Sequence, residues 1–403
     1  MKSTRLPSSA VSTFAIRAGQ MFDGIGVYGP TTVGIDGGKI THVDTVGAPP
    51  PEGMPLFDLG PDAFLLPGLV DAHMHLAFDA SADPVAALVA AHDDELLARM
   101  RVSAARALHA GITTVRDLGD RNYLALDLLA EFSGQPGKGP EILAAGPPIT
   151  TPGGHCHFLG GEAAGAEALL AAVRERFERG CSVVKIMASG GNLTPGSAPH
   201  KSQYSLPELR LVVEAAHRWG LPVAAHAHAP SAIRDALAAG ADTIEHATFM
   251  TEDGVDADPA MLARIAASGS SLGLTLGSAG IGEPLSSRPV VAKRLEAMTS
   301  ARKKLLELGA KIVPGTDAGI VEDKPHNVLP FALSDLVALG MSPVAALASM
   351  TSGAASACGV ADRKGRIAVG ADADLLAVAG SPLVDIGMIH NVQAVFRAGR
   401  CVR

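Results

Sequence analysis

One pattern occurs six times along the middle of the chain: an amphipathic stretch, a glycine, and then a short apolar run. The glycine can take the left-handed conformation that ends an α-helix, and the β-rich run after it can enter a sheet. Helix–glycine–strand units in succession predict alternating α and β structure with parallel strands. The six glycines are Gly111, Gly180, Gly220, Gly240, Gly269 and Gly309.

Two further apolar runs bring the predicted strands to eight. Aromatic residues make up only 4% of the chain, so its core must consist mainly of Ala, Val, Leu and Ile, which suits strands buried on both faces. Eight parallel strands with helical returns favour a closed (β/α)8 barrel of the TIM type, with an open doubly wound sheet as the alternative. The predicted strands lie near residues 65–76, 112–118, 141–146, 181–188, 221–228, 242–247, 270–276 and 310–316.

The two ends of the chain have a different pattern. Residues 11–63 and 365–403 are short alternating runs separated by glycine-rich turns, which is typical of antiparallel strands. At 403 residues the chain is long enough for a barrel and a smaller domain. We therefore predict a small discontinuous β-sandwich domain from residues 1–64 and 359–403, around a hydrolase barrel at 65–358.

Charge and cysteine usage exclude several classes of protein. The formal net charge is −8 and basic residues are not clustered, so a nucleic-acid partner is not expected. The four cysteines are scattered without a CxxC pair, which indicates reduced thiols. Neither a signal peptide nor an apolar run of membrane-spanning length is evident, so we expect a cytoplasmic protein with no membrane association and a small-molecule substrate.

Residues that can bind metals stand at the ends of five predicted strands. Side chains two apart on a strand point to the same side, and the carboxyl ends of barrel strands form the mouth where active sites lie. Taken singly, each residue has a structural explanation, such as a histidine in the core or a lysine whose amine reaches solvent. Packing alone does not explain five such strand ends. The residues are His73 and His75, Lys185, His226 and His228, His246, and Asp317.

This arrangement resembles the binuclear members of the amidohydrolase superfamily, in particular the imidazolonepropionase-like and Xaa-Pro dipeptidase-like branch. The resemblance extends over nearly the whole chain and includes the β-rich ends. It is carried by PGLVDAHMHL, VVKIMASGG, AGADTIEHATF, GTDAG and GRIAVGADADLLAVAGSPLVDI. It implies hydrolysis of an amide or peptide bond in a small molecule, such as a dipeptide or an N-acyl amino acid, by a homo-oligomer.

The resemblance also implies a ligand set. His73, His75 and Asp317 would bind one divalent ion, His226 and His246 the other, and Lys185, carboxylated by CO₂, would lie between them. Imidazole and carboxylate ligands suit Zn²⁺, with Mn²⁺ as an alternative. Two ions would lower the pKa of a bridging water so that hydroxide forms near neutral pH. Asp317 would then act as general base and general acid.

Further polar residues near the mouth are candidates for substrate contact. His228 faces the mouth and either contacts substrate or orients a ligand. His155 lies in the GGH sequence that the family often has here. Cys156 and His157, which follow it, depart from the family sequence, and we assign no meaning to this difference. The substrate-contact candidates are His228, His155, His157, Asn192, Tyr204 and His326.

Two alternatives remain open from the sequence. The first is a mononuclear deaminase or a hydrolase of cyclic amides (imidazolone, hydantoin or lactam) on the same fold. Those branches generally lack the strand-four lysine and have a glutamate three residues after the strand-five histidine, where this chain has Ala229. The second is a catalytically inactive binding homologue. The presence of a competent residue at every ligand position argues against it. Linear or cyclic amide, carbamate and ester substrates, and the identity of the metal, stay open.

Overall fold

The computed structural model describes residues 12–281 and 289–403, and its strands fall into three groups along the chain. The N-terminal strands are β1 (Thr13–Ala18), β2 (Gln20–Phe22), β3 (Val27–Tyr28), β4 (Thr31–Asp36), β5 (Lys39–Asp44), β6 (Leu56–Asp58) and β7 (Ala63–Pro67). The central strands are β8 (Leu69–Met74), β9 (Ile112–Asp117), β10 (Glu141–Ala144), β11 (Val184–Met187), β12 (Val223–Ala227), β13 (Thr243–His246), β14 (Ser271–Thr275) and β15 (Ile312–Gly315). The C-terminal strands are β16 (Leu375–Ala379), β17 (Val392–Arg397) and β18 (Arg400–Cys401).

Helices follow most of the central strands, and their first turns carry the residues that favour helix starts. The helix after β11 begins with a capping box in which Ser205 and Glu208 satisfy each other's backbone amides, as the sequence predicts. The α-helices are α1 (Pro84–Ala90), α2 (Asp93–His109), α3 (Leu124–Phe132), α4 (Ala166–Arg179), α5 (Leu206–Arg218), α6 (Pro230–Ala239), α7 (Pro259–Ala267), α8 (Pro289–Glu307), α9 (Ala332–Leu339), α10 (Pro343–Ala348) and α11 (Ala354–Ala357). Short 3-10 helices cover His157–Leu159, Leu329–Phe331 and Ile386–His390, and a π-helical turn covers Ser349–Gly353.

The central strands pair in parallel, which confirms an α/β fold. They form a three-stranded sheet in the order β10-β9-β8 and a five-stranded sheet in the order β11-β12-β13-β14-β15. Isolated parallel bridges join the two sheets at both ends, between Met74 and Ala318 and between Ile149 and Ile186. Closure of the eight strands into one barrel stays a prediction.

The first predicted strand, 65–76, is two strands rather than one. β7 pairs with β16 and β2 in the terminal sheet, whereas β8 pairs with β9 in the central one. Gly68 separates them at a close approach of backbone to side chain, since a Cβ here would lie 2.1 Å from Thr113 Oγ1. A continuous apolar run does not show which sheet each half will join, so the sequence predicted a single strand.

Five of the six repeat glycines adopt the left-handed conformation that the sequence predicts; they are Gly111, Gly180, Gly220, Gly240 and Gly309. Gly269 does not. The helix before it, α7, ends at Ala267, and Ser268 caps it in an extended conformation. The Ser268 hydroxyl donates to the Ile265 carbonyl at 2.7 Å. Because this serine satisfies the end of the helix, no left-handed residue is required there.

The ends of the chain form two mainly antiparallel sheets that bring the N- and C-terminal segments together. Their strand orders are β5-β4-β1-β6 and β18-β17-β16-β7-β2-β3. One hydrophobic cluster draws on both sheets, with Phe14 and Ile35 from the first and Leu65, Leu375 and Phe396 from the second. The predicted sandwich packing and the predicted domain boundaries stay predictions.

All four cysteines are free thiols. Within the residues described, none of the helices combines the length and the apolar character that crossing a membrane requires.

Candidate metal centre

The carboxyl ends of the central strands bring six of the sequence-predicted residues into one buried group, here called the strand-end cluster. Because parallel strands end at the same edge, residues far apart in the chain meet there. His73, Lys185, His226 and His246 lie on β8, β11, β12 and β13, and the other two follow β8 and β15. The cluster consists of His73, His75, Lys185, His226, His246 and Asp317, all of them buried.

Distances within the cluster show how closely the ligand atoms converge. Asp317 Oδ1 lies 3.4 Å from His73 Nε2 and 3.3 Å from His75 Nε2. The ring centroid of His246 is 5.1 Å from that of His73 and 4.6 Å from that of His226. Two sets have ligand atoms within 4.8 Å of one another, and they share His246; they are His73, His246 and Asp317, and His226, His228 and His246.

Hydrogen bonds on the far side of each ring decide which nitrogen carries the lone pair. His73 Nδ1 faces the Glu245 carboxylate at 2.9 Å, and His75 Nδ1 faces the Gly119 carbonyl at 3.0 Å. An oxygen acceptor requires these nitrogens to donate, so in the neutral rings Nε2 is bare. His226 is reversed, because its Nε2 faces the Gly190 carbonyl at 3.0 Å and its Nδ1 is left bare.

The bare Nε2 atoms of His73 and His75 therefore point at an oxygen of a carboxylate. Three lone-pair atoms that face one point repel each other unless a proton or a cation stands between them. Nitrogen and carboxylate donors in this arrangement match the ligand chemistry of zinc and similar divalent ions. The residues present therefore fit a metal site.

Lys185 is the cluster residue least explained by packing. The residue is 1% exposed, and its Nζ has no hydrogen-bond partner among the described residues. Burial lowers the pKa of its ammonium to about 8. A buried amine with no acceptor is costly to the folded state. Its neutral form is the nucleophile that can add to CO₂.

The surroundings hold most of the other ligands in the forms that bind metals. Burial, together with the charge of Lys185, lowers the pKa of His73 to about 4, and the pKa of His246 also lies well below its ordinary value. Burial alone would raise the pKa of Asp317, but His73 and His75 hold it well below its usual range. Burial alone would lower the pKa of His75, but its hydrogen bond with Asp317 raises it. Neutral imidazoles and an ionised carboxylate are the ligand forms, so metal binding at His75 would displace a proton.

Left-handed backbone at two strand ends turns ligands toward the cluster. His246 has a φ of 68° and Asp317 a φ of 57°, conformations uncommon for residues other than glycine. Consecutive residues of an extended strand face opposite sides. Because the strand breaks at His246, both Glu245 and His246 reach His73. Strained backbone of this kind is often found at functional sites.

Sequence reasoning assigned no role to Glu245, Arg116 or Asp71, all fully buried beside the cluster. Glu245 pairs with Arg116 at 2.9 Å. Asp71 accepts hydrogen bonds from the Thr316 amide and hydroxyl, which fixes β8 against the end of β15. The available signal was the charge itself, since opposite charges within two predicted buried strands indicate an ion pair between them.

Three of the predicted substrate-contact residues adjoin the cluster. The His228 ring lies 4.6 Å from those of His226 and His246, and its Nδ1 is 2.8 Å from Thr248 Oγ1. The His155 ring lies 4.7 Å from that of His226. His326 Nε2 donates to the carbonyl of His75 at 3.0 Å.

Among the described residues, no hydrogen bond or ring contact joins the other three candidates to the strand-end cluster. Tyr204 is buried, and its hydroxyl donates to the Ala163 carbonyl at 2.7 Å. His157 is half-buried with its ring near Phe158, and Asn192 is exposed. Their contact with substrate stays a prediction.

Comparison with known proteins gives matches over most of the chain. The amidohydrolase family profile matches residues 64–402. Ochratoxinase of Aspergillus niger is 27% identical over 359 residues, which are 82% of this chain and 73% of that protein. A solved Xaa-Pro dipeptidase with methionine bound in its active site has a TM-score of 0.84 and 29% identity, over 97% of this chain and 99% of that one. The A. niger ochratoxinase structure has a TM-score of 0.83 and 25% identity, over 98% and 96%.

Proposed function

The chain belongs to the amidohydrolase family, and from this we propose that it hydrolyses a carbon–nitrogen bond in a small molecule with two divalent metal ions. One observation carries the proposal: the bare nitrogens of His73 and His75 converge on one oxygen of Asp317. The same proposal includes closure of the central strands into a (β/α)8 barrel and packing of the terminal sheets as a sandwich. The bridges between the two parallel sheets and the shared hydrophobic cluster support both.

We assign the ligands as the family resemblance implies. His73, His75 and Asp317 would hold one ion, His226 and His246 the other, and carboxylated Lys185 would lie between them. Charge supports this assignment, because Glu245 and Asp317 are buried carboxylates in the same region as Lys185. Carboxylation would turn the Lys185 cation into an anion and leave the region with a net negative charge, which divalent cations would offset.

When bound, the two ions would lower the pKa of a water between them and polarise the scissile carbonyl. The chain's own residues then supply proton transfer and orientation. Asp317 stays ionised, so it can take the proton of the attacking water and pass it to the leaving nitrogen, first as general base and then as general acid. His228 and His155 border the cluster, where they would contact the substrate.

For the substrate we propose a dipeptide or an N-acyl amino acid. Similar proteins bear the names Xaa-Pro dipeptidase and ochratoxinase, which supports a linear amide with a carboxylate-bearing portion. A single-metal deaminase or cyclic-amide hydrolase is disfavoured by Lys185, whose amine has no partner in the described part of the chain and would have no role in such a site.

A substrate screen tests this proposal. The metal-loaded protein would be assayed against dipeptides, N-acyl amino acids, hydantoins and lactones in parallel. We expect turnover of the linear amides. Turnover confined to cyclic compounds would show that the dipeptidase-like assignment is wrong.

Substitution of the proton carrier is the matching test on the protein. We expect Asp317→Asn to abolish hydrolysis, because an amide cannot accept the proton, while the circular dichroism spectrum stays that of the wild type. Asp362→Asn, at an exposed aspartate outside the cluster, is the control and should keep full activity. Full activity of the Asp317 variant would remove this residue from the mechanism.

A further inference from the structure

A buried ion pair lies directly beneath the strand-end cluster and contacts one of its ligands. It consists of Arg116 on β9 and Glu245 on β13, and together with His73 we call it the supporting triad. Neither charged side chain belongs to the proposed ligand set. We propose that Glu245, held by Arg116, is a positioning residue that fixes His73 as an Nε2 ligand; this rests on the proposed function of the cluster.

Both oxygens of the Glu245 carboxylate are engaged, so its orientation is fixed. Oε2 accepts from His73 Nδ1 at 2.9 Å. Oε1 accepts from Arg116 Nη2 at 2.9 Å and from the Thr243 hydroxyl at 2.6 Å. The Glu245 side chain is 0% exposed, so water does not compete for these bonds. His73 therefore meets an anionic acceptor in one defined place.

Arg116 holds His73 from a second direction. Its Nε donates to the carbonyl of Ala72, the residue before His73, at 2.6 Å. One guanidinium thus fixes both the backbone beside the ligand and the carboxylate that faces its ring. A planar guanidinium with several donors suits this double contact better than a lysine amine would.

Neighbouring strands leave the space that the triad needs. A Cβ on Gly273 of β14 would lie 2.1 Å from Glu245 Oε2. A Cβ on Gly315 of β15 would lie 2.3 Å from the Cβ of His73. Any side chain at these two positions would collide with a member of the triad, so both strands carry glycine where they pass it.

Stability alone does not account for this arrangement. A buried ion pair stabilises a fold weakly, because its desolvation offsets its attraction, and apolar side chains of similar volume often do as well. An acceptor on Nδ1, by contrast, has a direct effect on a metal ligand. It keeps the proton on Nδ1, leaves Nε2 bare, and raises the basicity of the ring. Without it, a neutral His73 would also populate the form protonated at Nε2, which cannot bind a metal through that nitrogen.

The same strand end links two ligands. β13 supplies His246 to the cluster, and the residue before it supplies the acceptor for His73 on β8. The left-handed conformation at His246 makes both orientations possible. The position of one ligand is therefore tied to that of another across the sheet.

The experiment compares Glu245→Gln with the wild type by competition for zinc against a chromophoric chelator. The amide has nearly the shape of the carboxylate but lacks its charge, and we expect zinc affinity about 10- to 100-fold weaker, the usual effect of losing a partner behind a ligand. Asp374→Asn is the matched control, since Asp374 is a buried carboxylate paired with Lys364 and Arg397 away from the cluster. It should lower stability and leave zinc affinity unchanged.

A second readout does not depend on metal. Long-range ¹H–¹⁵N spectra of the metal-free protein, with the His73 signals assigned by His73→Asn, report which ring nitrogen carries the proton. We expect a proton on Nδ1 in the wild type and a mixture of the two forms in Glu245→Gln. If that variant does not fold, Thr243→Val removes only the 2.6 Å bond to Oε1 and should weaken zinc binding to a smaller extent.

The outcomes separate this proposal from the one on which it rests. A folded Glu245→Gln protein with wild-type zinc affinity and an unchanged proton position would overturn the positioning role. A wild-type protein that binds no zinc but shows the Nδ1 proton, lost in the variant, would contradict the proposed function and support the positioning of His73.

Discussion

Two lysines of this chain are almost fully buried, at 1% exposure for Lys185 and 2% for Lys364, yet their surroundings differ. Lys364 Nζ lies 2.6 Å from Asp372, 2.6 Å from Asp374 and 3.0 Å from Glu141. Lys185 Nζ has no hydrogen-bond partner among the described residues. The first lysine is explained by the fold. No contact among the described residues explains the second, and we propose that carboxylation and metal binding do.

Lys364 belongs to a network that fastens the C-terminal segment to the start of β10. Arg363 and Arg397 also pair with Glu141, the first residue of that strand. We call Glu141, Arg363, Lys364, Asp372, Asp374 and Arg397 the Lys364 clamp. Each carboxylate of the clamp pairs with a cation, whereas the Lys185 amine in the strand-end cluster has no hydrogen-bond partner among the described residues. The contrast indicates that buried charge serves structure in one region and chemistry in the other.

The largest expected effect comes from replacing Lys185. We expect Lys185→Met to abolish hydrolysis and to reduce bound metal from two ions per chain, because the residue proposed to lie between them is gone. The metal-free variant should resist urea as well as the wild type or better, since an unpartnered buried amine is removed. Restoration of part of the activity of Lys185→Ala by added acetate would sharpen the result. A marked loss of stability with unchanged metal content would show that Lys185 has a structural role and does not hold metal.

Replacing Lys364 should have the opposite outcome. We expect Lys364→Met to lower the free energy of unfolding by about 3–5 kcal/mol, the usual result of removing one partner from a buried ion pair. Activity per folded molecule should stay at the wild-type level. Lys39→Met is the control, because Lys39 is half exposed and contacts Asp372 from outside. Urea denaturation should show a loss of only about 0–1 kcal/mol for this variant.

Acid should weaken the clamp by a smaller amount. Burial alone would raise the pKa of Glu141, but Arg363, Lys364 and Arg397 lower it from 4.5 to about 2. A carboxyl with a depressed folded-state pKa contributes stability above pH 4.5 and loses that contribution as pH falls toward 2. The contribution is roughly 3 kcal/mol. We expect the unfolding free energy of Glu141→Gln to decline less steeply with falling pH over this window. An unchanged slope would contradict a lowered pKa of Glu141 in the folded state.

Much of the strand-end cluster could be predicted from the sequence, because parallel strands place the residues at their carboxyl ends together whatever the loops do. His73, Lys185, His226 and Asp317 needed only the order of strands and the side-chain alternation. The supporting triad was harder. The sequence shows charges in Arg116 and Glu245, but which carboxylate faces which ring depends on the strand register, and a one-residue shift would change every pair.

Other features depend on backbone detail that composition does not encode. The chain changes sheet at Gly68 within one unbroken apolar run. The helix before Gly269 ends on a serine instead of the glycine. His246 turns into the cluster only because its backbone leaves the strand conformation. The change of sheet depends on a close contact of Gly68 with Thr113, which is distant in sequence, and the helix end depends on a serine hydroxyl bond to Ile265. The helix–glycine–strand pattern shows neither contact.

Anomalous diffraction from crystals of the zinc-loaded protein grown with bicarbonate tests directly whether the strand-end cluster holds two metal ions. We expect two zinc peaks in the strand-end cluster, with density for a carboxyl group on Lys185 Nζ between them. A single peak beside an unmodified Lys185 amine, or no peak near His73 and Asp317, would contradict this expectation.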